Sequence, residues 1–209
     1  MIISFEGGEG AGKTTNVASL GAYLTSKGLP WLSFREPGGS SFSEEIRDLF
    51  LKQDLDVMTE LLLILASRVQ NISRIIEPGL ADGTIILIDR FVDSTLVYQG
   101  IVGGLGYERV KAIMDYTGTW IEPDITFIMD VSPELGLSRI QPSDRFEHRG
   151  QEYHLRIRDA FLRISCTHRH RIIDTSLGRE QVYERIIKEV DASLLSLLQH
   201  KPFNNQKTS

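Results

Sequence analysis

Gly7-Gly8-Glu9-Gly10-Ala11-Gly12-Lys13-Thr14-Thr15 is the stretch on which the fold turns. Gly7, Gly12, Lys13 and Thr14 fit G-x-x-x-x-G-K-[ST], the pattern of a phosphate-binding loop. Glycines let the backbone curl and aim successive N–H groups inward, and the following helix adds partial positive charge at its N-terminus. In such a loop the lysine reaches the β- and γ-phosphates and the threonine hydroxyl ligates Mg²⁺. The motif needs a strand before it and a helix after it. Ile2-Ile3-Ser4-Phe5 reads as the strand, and Val17, Leu20 and Leu24 fall at helical spacing behind the loop.

Outward from the loop, the first helix is expected from about Lys13 to Lys27, stopping at Gly28. Trp31-Leu32-Ser33-Phe34 reads as a second strand, ending in the turn Arg35-Glu36-Pro37-Gly38-Gly39. Ser43-Glu44-Glu45-Ile46-Arg47 looks like a helix start with acids in its first turn. One long helix is expected from Val57 to Leu80, ending around Pro78-Gly79. Arg68 and Arg74 interrupt its apolar face, and Arg74 is expected on a solvated side. Ile85-Ile86-Leu87-Ile88 and Ile125-Thr126-Phe127-Ile128-Met129 have the continuous apolar pattern of strands buried on both faces. They end in Asp89-Arg90 and Asp130, and Arg171-Ile172-Ile173 reads as the last strand, ending at Asp174. Helices are expected at about Gly106–Thr117, Pro133–Arg139, Glu152–Thr167 and Arg179–Leu198. Strands separated by helices imply a three-layer α/β fold of the P-loop NTPase kind, with a five-stranded parallel sheet. One domain over residues 1–200 is expected, with a polar, disordered tail at 201–209.

Composition excludes several classes. A net charge of -5 advertises no nucleic-acid surface. The longest apolar run, Leu61 to Ala66, is too short to span a bilayer, and the chain opens directly on the loop's strand, so no leader is expected. Nucleic acid and membrane are therefore not expected as partners. Cys166 is the only cysteine, so no intrachain disulfide forms, in keeping with a cytoplasmic protein. It reads as a half-buried apolar residue. The five histidines show no metal-ligand spacing and are expected at the surface. No G-x-S-x-G nucleophile elbow is present.

Asp89 stands at the C-terminal end of a central strand, where a carboxylate comes close to bound Mg²⁺. Arg139, Arg145 and Arg149 crowd a short segment between two helices, about residues 139–150. Arginines on a closing lid can stabilise the charge of a phosphoryl group in transfer.

Five stretches in order resemble the bacterial thymidylate kinase family. They are Phe5 to Thr15, Arg35-Glu36-Pro37-Gly38-Gly39, Glu60-Leu61-Leu62 through Arg68-Val69-Gln70, Asp89-Arg90-Phe91 through Ser94-Thr95 and Tyr98-Gln99-Gly100, and Asp144-Arg145-Phe146-Glu147. The resemblance implies transfer of the γ-phosphoryl of ATP to dTMP, with Mg²⁺, in a homodimer. Loop residues Gly7, Gly8, Glu9, Gly10, Ala11, Gly12, Lys13, Thr14 and Thr15 would bind ATP, with Thr14 and Asp89 at the metal, directly or through water. Glu9, Arg35, Pro37, Arg47, Ile64, Arg68, Arg90, Ser94, Thr95, Tyr98 and Gln99 would form the dTMP site. Within it, Glu9 would face the 3′-hydroxyl, Arg90 would clamp the acceptor phosphate with Arg35 or Arg47, and Tyr98 would crowd the 2′ position. Arg68 and Thr95 would meet the base edge. Lys13 and Arg90 would be catalytic, and Ala11 in the loop leaves Arg139, Arg145 and Arg149 as candidates for the catalytic lid arginine.

Three positions depart from the family pattern. Ile64 stands where the family usually has an aromatic residue stacked on thymine, four positions before the base-reading arginine. An aliphatic side chain buries the base face but forgoes about 0.5–1.5 kcal/mol of stacking. The segment between Arg139 and Asp144 is shorter and less basic than in many relatives, and Val97 replaces an alanine. Two other readings are weighed: a monophosphate kinase with shifted base choice, and a nucleotide-dependent switch. The chain has no Asn-Lys-x-Asp string of the guanine-reading switches.

Overall fold

The computed structural model describes residues 1–141, 144–165 and 168–200. Cys166, part of the lid and the 201–209 tail lie outside the described residues. Five strands form one parallel sheet in the order β2-β3-β1-β4-β5. They are β1 (Ile2–Glu6), β2 (Trp31–Arg35), β3 (Ile85–Asp89), β4 (Ile125–Asp130) and β5 (His170–Asp174). β1 is central, with Phe5 level with Asp89 of β3 and with Phe127 of β4. The inner strands β1, β3 and β4 are the three continuous apolar runs because helices cover both their faces. The edge strands β2 and β5 are only partly buried and read as mixed sequence.

Successive side chains alternate between the two faces. Ile3, Phe5, Leu87 and Phe127 meet α1 (Lys13–Ser26) and α9 (Arg179–His200) through Val17, Leu20, Leu24, Val182, Ile186 and Val190. On the opposite face Ile2, Ile86 and Ile88 pack on Leu61 and Leu65 of α3 (Val57–Asn71) and on Val110 and Met114 of α6 (Tyr107–Tyr116). Ile128 packs there on Ile157, Ala160 and Phe161 of α8 (Gln151–Ile164). α2 (Ser41–Lys52) lies along α3, outside that layer. Each fully buried Leu, Ile or Phe contributes about 1.5–3 kcal/mol by leaving water.

The long helix expected from Val57 to Leu80 is one rod of three parts. Asp56 caps α3 by accepting from Thr59 N at 2.9 Å. A π-helical turn at Ile72–Ile76 then widens the rod before α4 (Glu77–Ala81). Pro78 does not end the rod: it falls just after the π-helical turn, where the helical hydrogen-bond pattern changes, and the helix runs on to Ala81. Behind Asp89-Arg90-Phe91 comes an element the periodicity did not show. It is α5 (Val92–Thr95), continued by a π-helical segment at Leu96–Val102. Short α7 (Pro133–Ser138) lies directly on the glycine loop. A Cβ on Gly10 would collide with the Gly136 carbonyl, so this approach requires glycine there, and Gly10 also has φ 67°.

The five histidines do not all lie at the surface. His154 and His170 are buried. His154 Nε2 is 3.1 Å from the Arg149 carbonyl, and His170 Nε2 is 3.4 Å from Asp93 Oδ1. Both sit where a helix or strand end packs inward, which sequence spacing does not reveal. Asp93 is also gripped by both arms of Arg169, at 2.6 and 2.8 Å. Arg169 reaches Thr126 Oγ1, which shares a 2.9 Å hydrogen bond with Ser4. This buried chain ties α5 to β4 and β1. Burial alone would raise the Asp93 carboxyl, but hydrogen bonds from His170 and Arg169 hold it below the ordinary value. Replacing Asp93→Ala leaves Arg169 buried and uncompensated, and should cost about 3–5 kcal/mol in urea unfolding. Because the folded carboxyl is depressed, wild-type stability from this pair is present above about pH 4 and lost as pH falls; the variant should show a flatter acid limb.

Candidate active site

The carboxyl ends of β1, β2 and β3 open into one cleft of about 1180 Å³. It is larger than the usual small-molecule pocket of about 300–1,000 Å³ and has room for two nucleotides. Loop residues Glu9 to Thr15 line it, as do Arg35, Pro37, Arg47, Ile64, Arg68, Asp89, Arg90, Ser94, Thr95, Tyr98, Gln99 and Arg139. Arg145 and Arg149 do not.

Lys13 begins α1 and folds back over the loop, donating to the carbonyls of Gly7 (3.1 Å) and Gly8 (2.7 Å). Burial and the neighbouring Arg90 bring its ammonium down to about 8, against the pull of Glu9, Asp89 and Glu6. Thr14 Oγ1 donates to Asp89 Oδ2 at 2.5 Å, so the hydroxyl and the carboxylate expected at a metal are neighbours across the sheet. Among the described residues no group of three His, Cys, Asp or Glu side chains is gathered for a metal. Two hard oxygens beside a phosphate loop fit Mg²⁺, which takes one or two protein ligands and completes its shell with phosphates and water.

Arg90 follows β3 and is the one non-glycine residue with positive φ, 64°, among the described residues. That bend turns its side chain onto the loop. Its guanidinium donates to Gly7 O (3.0 Å), Tyr98 Oη (3.1 Å) and Glu9 Oε1 (2.7 Å), and lies 5.2 Å from the centre of the Tyr98 ring. Tyr98 Oη in turn donates to Glu9 Oε1 at 2.9 Å. Burial would raise the Glu9 carboxyl, but Arg90, Lys13 and the Tyr98 hydroxyl bring it down to about 2. Glu9 is thus ionised at every working pH.

Behind this group stands Glu6, fully buried at the end of β1. It accepts from Phe91 N at 2.8 Å and Ser94 Oγ at 2.5 Å. The Ser94 hydroxyl expected at the nucleotide is therefore engaged in holding its own turn. Burial and the nearby Asp93 push the Glu6 carboxyl up to about 8, against the hydrogen bonds of Ser94 and Phe91 and the charge of Arg90. Sequence reasoning missed Glu6, although it immediately precedes the loop.

Arg68 is a second buried centre. Its Nε donates to Glu36 Oε2 at 2.7 Å, its Nη2 to Thr95 Oγ1 at 2.8 Å, and its guanidinium lies 5.0 Å from the centre of the Phe91 ring. Asn71 supports Glu36 (3.3 Å) and the Gly38 carbonyl (2.7 Å). Burial raises the Glu36 carboxyl, against Arg68 and Asn71. Gln99 donates to Glu60 Oε2 at 2.9 Å, and its buried Oε1 has no hydrogen-bond partner among the described residues. Nearer the rim, Arg35 pairs with Glu44 at 3.1 Å and Arg47 donates to Pro37 O at 3.0 Å.

The three lid arginines separate. Arg139 faces the cleft and donates to Thr175 O at 2.9 Å. Arg145 is docked on the neighbouring helices, 2.6 Å from Glu60 Oε1 and donating to Phe50 O at 3.0 Å. Arg149 is exposed, 5.4 Å from the centre of the Tyr153 ring.

A parallel sheet with a lysine-bearing glycine loop at its centre and an arginine-lined cleft beside it has the make-up of a P-loop kinase. A family model described as thymidylate kinase matches residues 5–186. A thymidylate kinase of Fervidobacterium nodosum is 39% identical over 197 residues, covering 93% of this chain and 100% of the relative. One of Prosthecochloris aestuarii is also 39% identical, covering 96% of this chain and 97% of the relative. The crystal structure of thymidylate kinase from Ehrlichia chaffeensis superposes with a TM-score of 0.75 at 33% identity, covering 91% of this chain and 98% of that one. The chain belongs to the thymidylate kinase family.

Lys13 carries a pH prediction. Its ammonium is charged below about pH 8 and neutral above it, and a triphosphate favours the charged form. ATP affinity should therefore fall as pH rises through 8, by about tenfold between pH 7 and 9 in titration calorimetry. Lys13→Met should bind weakly at both pH values and lose this dependence.

Proposed function

We propose that the chain transfers the γ-phosphoryl group of ATP to dTMP, giving dTDP and ADP for dTTP synthesis, and that its site residues act as follows. One observation carries the reading: the Gly7 carbonyl accepts from both Lys13 and Arg90, at 3.1 and 3.0 Å. The donor cation and the acceptor cation thus meet at a single atom of the loop, which supports a shared phosphate path.

The loop amides and Lys13 hold the β- and γ-phosphates at the α1 N-terminus. Thr14 and Asp89 would hold Mg²⁺, which would supply positive charge against the nucleotide's phosphates. Arg90, with Arg35 and Arg47 at the rim, receives the doubly charged acceptor phosphate. Arginine forks offset the repulsion between two anions and set the in-line approach. Glu9 and Tyr98 are fixed beside Arg90, where Glu9 meets the 3′-hydroxyl and the tyrosine ring leaves no room for a 2′-hydroxyl. Arg68 and Thr95 take the edge of the base. The unsatisfied Gln99 Oε1 is an acceptor for a ring N–H, a buried need that thymine meets and cytosine does not. Pro37 and Ile64 wall the base. Arg139, the lid arginine that faces the cleft, stabilises the moving phosphoryl group.

The reaction is tested by coupled ADP release over a panel of monophosphates. Turnover should depend on dTMP; equal rates with dCMP, or none with dTMP, would remove the reading. Arg139→Ala should lower kcat about 10²–10³-fold, whereas Arg145→Ala should act mainly on KM and stability. An unchanged kcat in Arg139→Ala would move the catalytic role elsewhere.

The chain acts as one domain, in the cytoplasm, as a homodimer. Leu62 and Val69 are exposed two turns apart on α3, and Phe42 and Leu49 are exposed at the same spacing on the adjoining α2. Such rows suit a self-complementary helix face. Sedimentation should show a dimer that Leu62→Lys with Val69→Lys converts to monomer; a wild-type monomer at all concentrations would refute the dimer. No described helix is long and apolar enough to cross a membrane.

A further inference from the structure

Ile64 and Arg68 stand one helical turn apart on α3 and both line the cleft. A base held by Arg68 therefore lies along Ile64, a residue with no aromatic face. The cleft has other rings. Tyr23 and Tyr183 belong to α1 and α9, on the opposite face of the sheet. Phe91 is fully buried beneath Arg68. Tyr98 is tied by its hydroxyl to Glu9 and Arg90. Two rings remain, Phe50 and Phe146, and both belong to one apolar cluster with Ile64.

These two rings stack on each other, with centroids 5.4 Å apart and planes 18° from parallel. The Arg145 guanidinium lies 5.2 Å from the centre of the Phe50 ring and 4.4 Å from that of Phe146. Phe50 is mounted on α2, which packs along α3. Its carbonyl is held by Arg145, itself paired with Glu60. Glu60 also holds Gln99. The ring is thus fixed by the same side chains that orient the base-facing amide. Phe146 stands on the lid segment, outside any described helix.

We propose that Phe50 is a specificity-determining residue: it supplies, from α2, the aromatic face for the pyrimidine base that position 64 on α3 lacks. The small Ile64 and the large Phe50 fill one space between the two helices, so the ring reaches the wall of the cleft from the neighbouring element. Phe146 backs it. A ring on a packed helix is held more rigidly than one on a loop, which reduces the ordering cost of stacking. This inference rests on the reading of Arg68 as the contact to the base.

Steady-state kinetics with dTMP and ATP varied separately test it. Phe50→Leu keeps the cluster apolar, and should raise KM for dTMP about 2- to 12-fold while KM for ATP stays put. Phe50→Tyr should keep the wild-type KM. The exchange Phe50→Leu with Ile64→Phe returns a ring to the opposite helix and should restore KM to within about twofold. An unchanged dTMP KM in Phe50→Leu would overturn the proposal. So would a larger loss in Phe146→Leu than in Phe50→Leu, which would place the stacking ring on the lid segment. Absence of dTMP turnover in the wild type would remove the kinase reading itself, and this inference with it.

Discussion

A single backbone oxygen carries two cations. The Gly7 carbonyl takes hydrogen bonds from Lys13, thirteenth in the chain, and from Arg90, which arrives from the neighbouring strand. Two anionic nucleotides approach each other only if positive charge is fixed between them before they arrive. Fixing it costs energy, because two buried cations repel. The structure offsets that repulsion with Glu9, which lies inside the loop and pairs with Arg90 at 2.7 Å. The neighbouring cations depress the Glu9 carboxyl, and burial together with Arg90 depresses the Lys13 ammonium.

Arg90 reaches Gly7 only because its backbone is bent into the left-handed region, which disfavours a side chain. The bend is held from behind by carboxylates that never face the cleft. Glu6 accepts from the backbone of Phe91 and from Ser94. Asp93, three residues beyond Arg90, is anchored by Arg169, the residue just before β5. Burying these groups is costly: Asp93 is tolerated as a charge because Arg169 pairs with it, and Glu6, raised to about 8, largely sheds its charge near neutral pH. Glu36 serves Arg68 in the same way, so both arginine centres of the cleft rest on buried acids.

Much of the fold was legible. Apolar runs marked β1, β3 and β4 to within a residue or two, since strands covered on both faces must be apolar throughout, and shorter mixed runs marked the half-buried edge strands β2 and β5. The parallel order followed from the helices between them. Less visible were the two π-helical stretches, at Ile72–Ile76 and Leu96–Val102, because an inserted residue does not disturb an already apolar pattern. The histidines at 154 and 170 look like surface residues by spacing and are buried by packing. In the site, the loop could be read from its own residues. Arg68, Tyr98 and Gln99 could be named only by resemblance, since nothing local to them signals a nucleotide. Glu6 stood inside the first matching stretch without being given a role, and Phe50 lay outside every matching stretch.

The local sequence alone picked out the glycine loop between β1 and α1, because glycine spacing, a lysine and a helix start are all consecutive. It also determined the class of sheet, because each strand carries its burial in its own composition. Only the tertiary structure decided which distant side chains gather at that loop. Arg90 meets Glu9 across eighty-one residues of chain. Arg139, not Arg145, faces the cleft because Glu60 and the Phe50 carbonyl hold Arg145 elsewhere. A side chain's direction depends on what packs behind it, and those partners come from other elements of the fold.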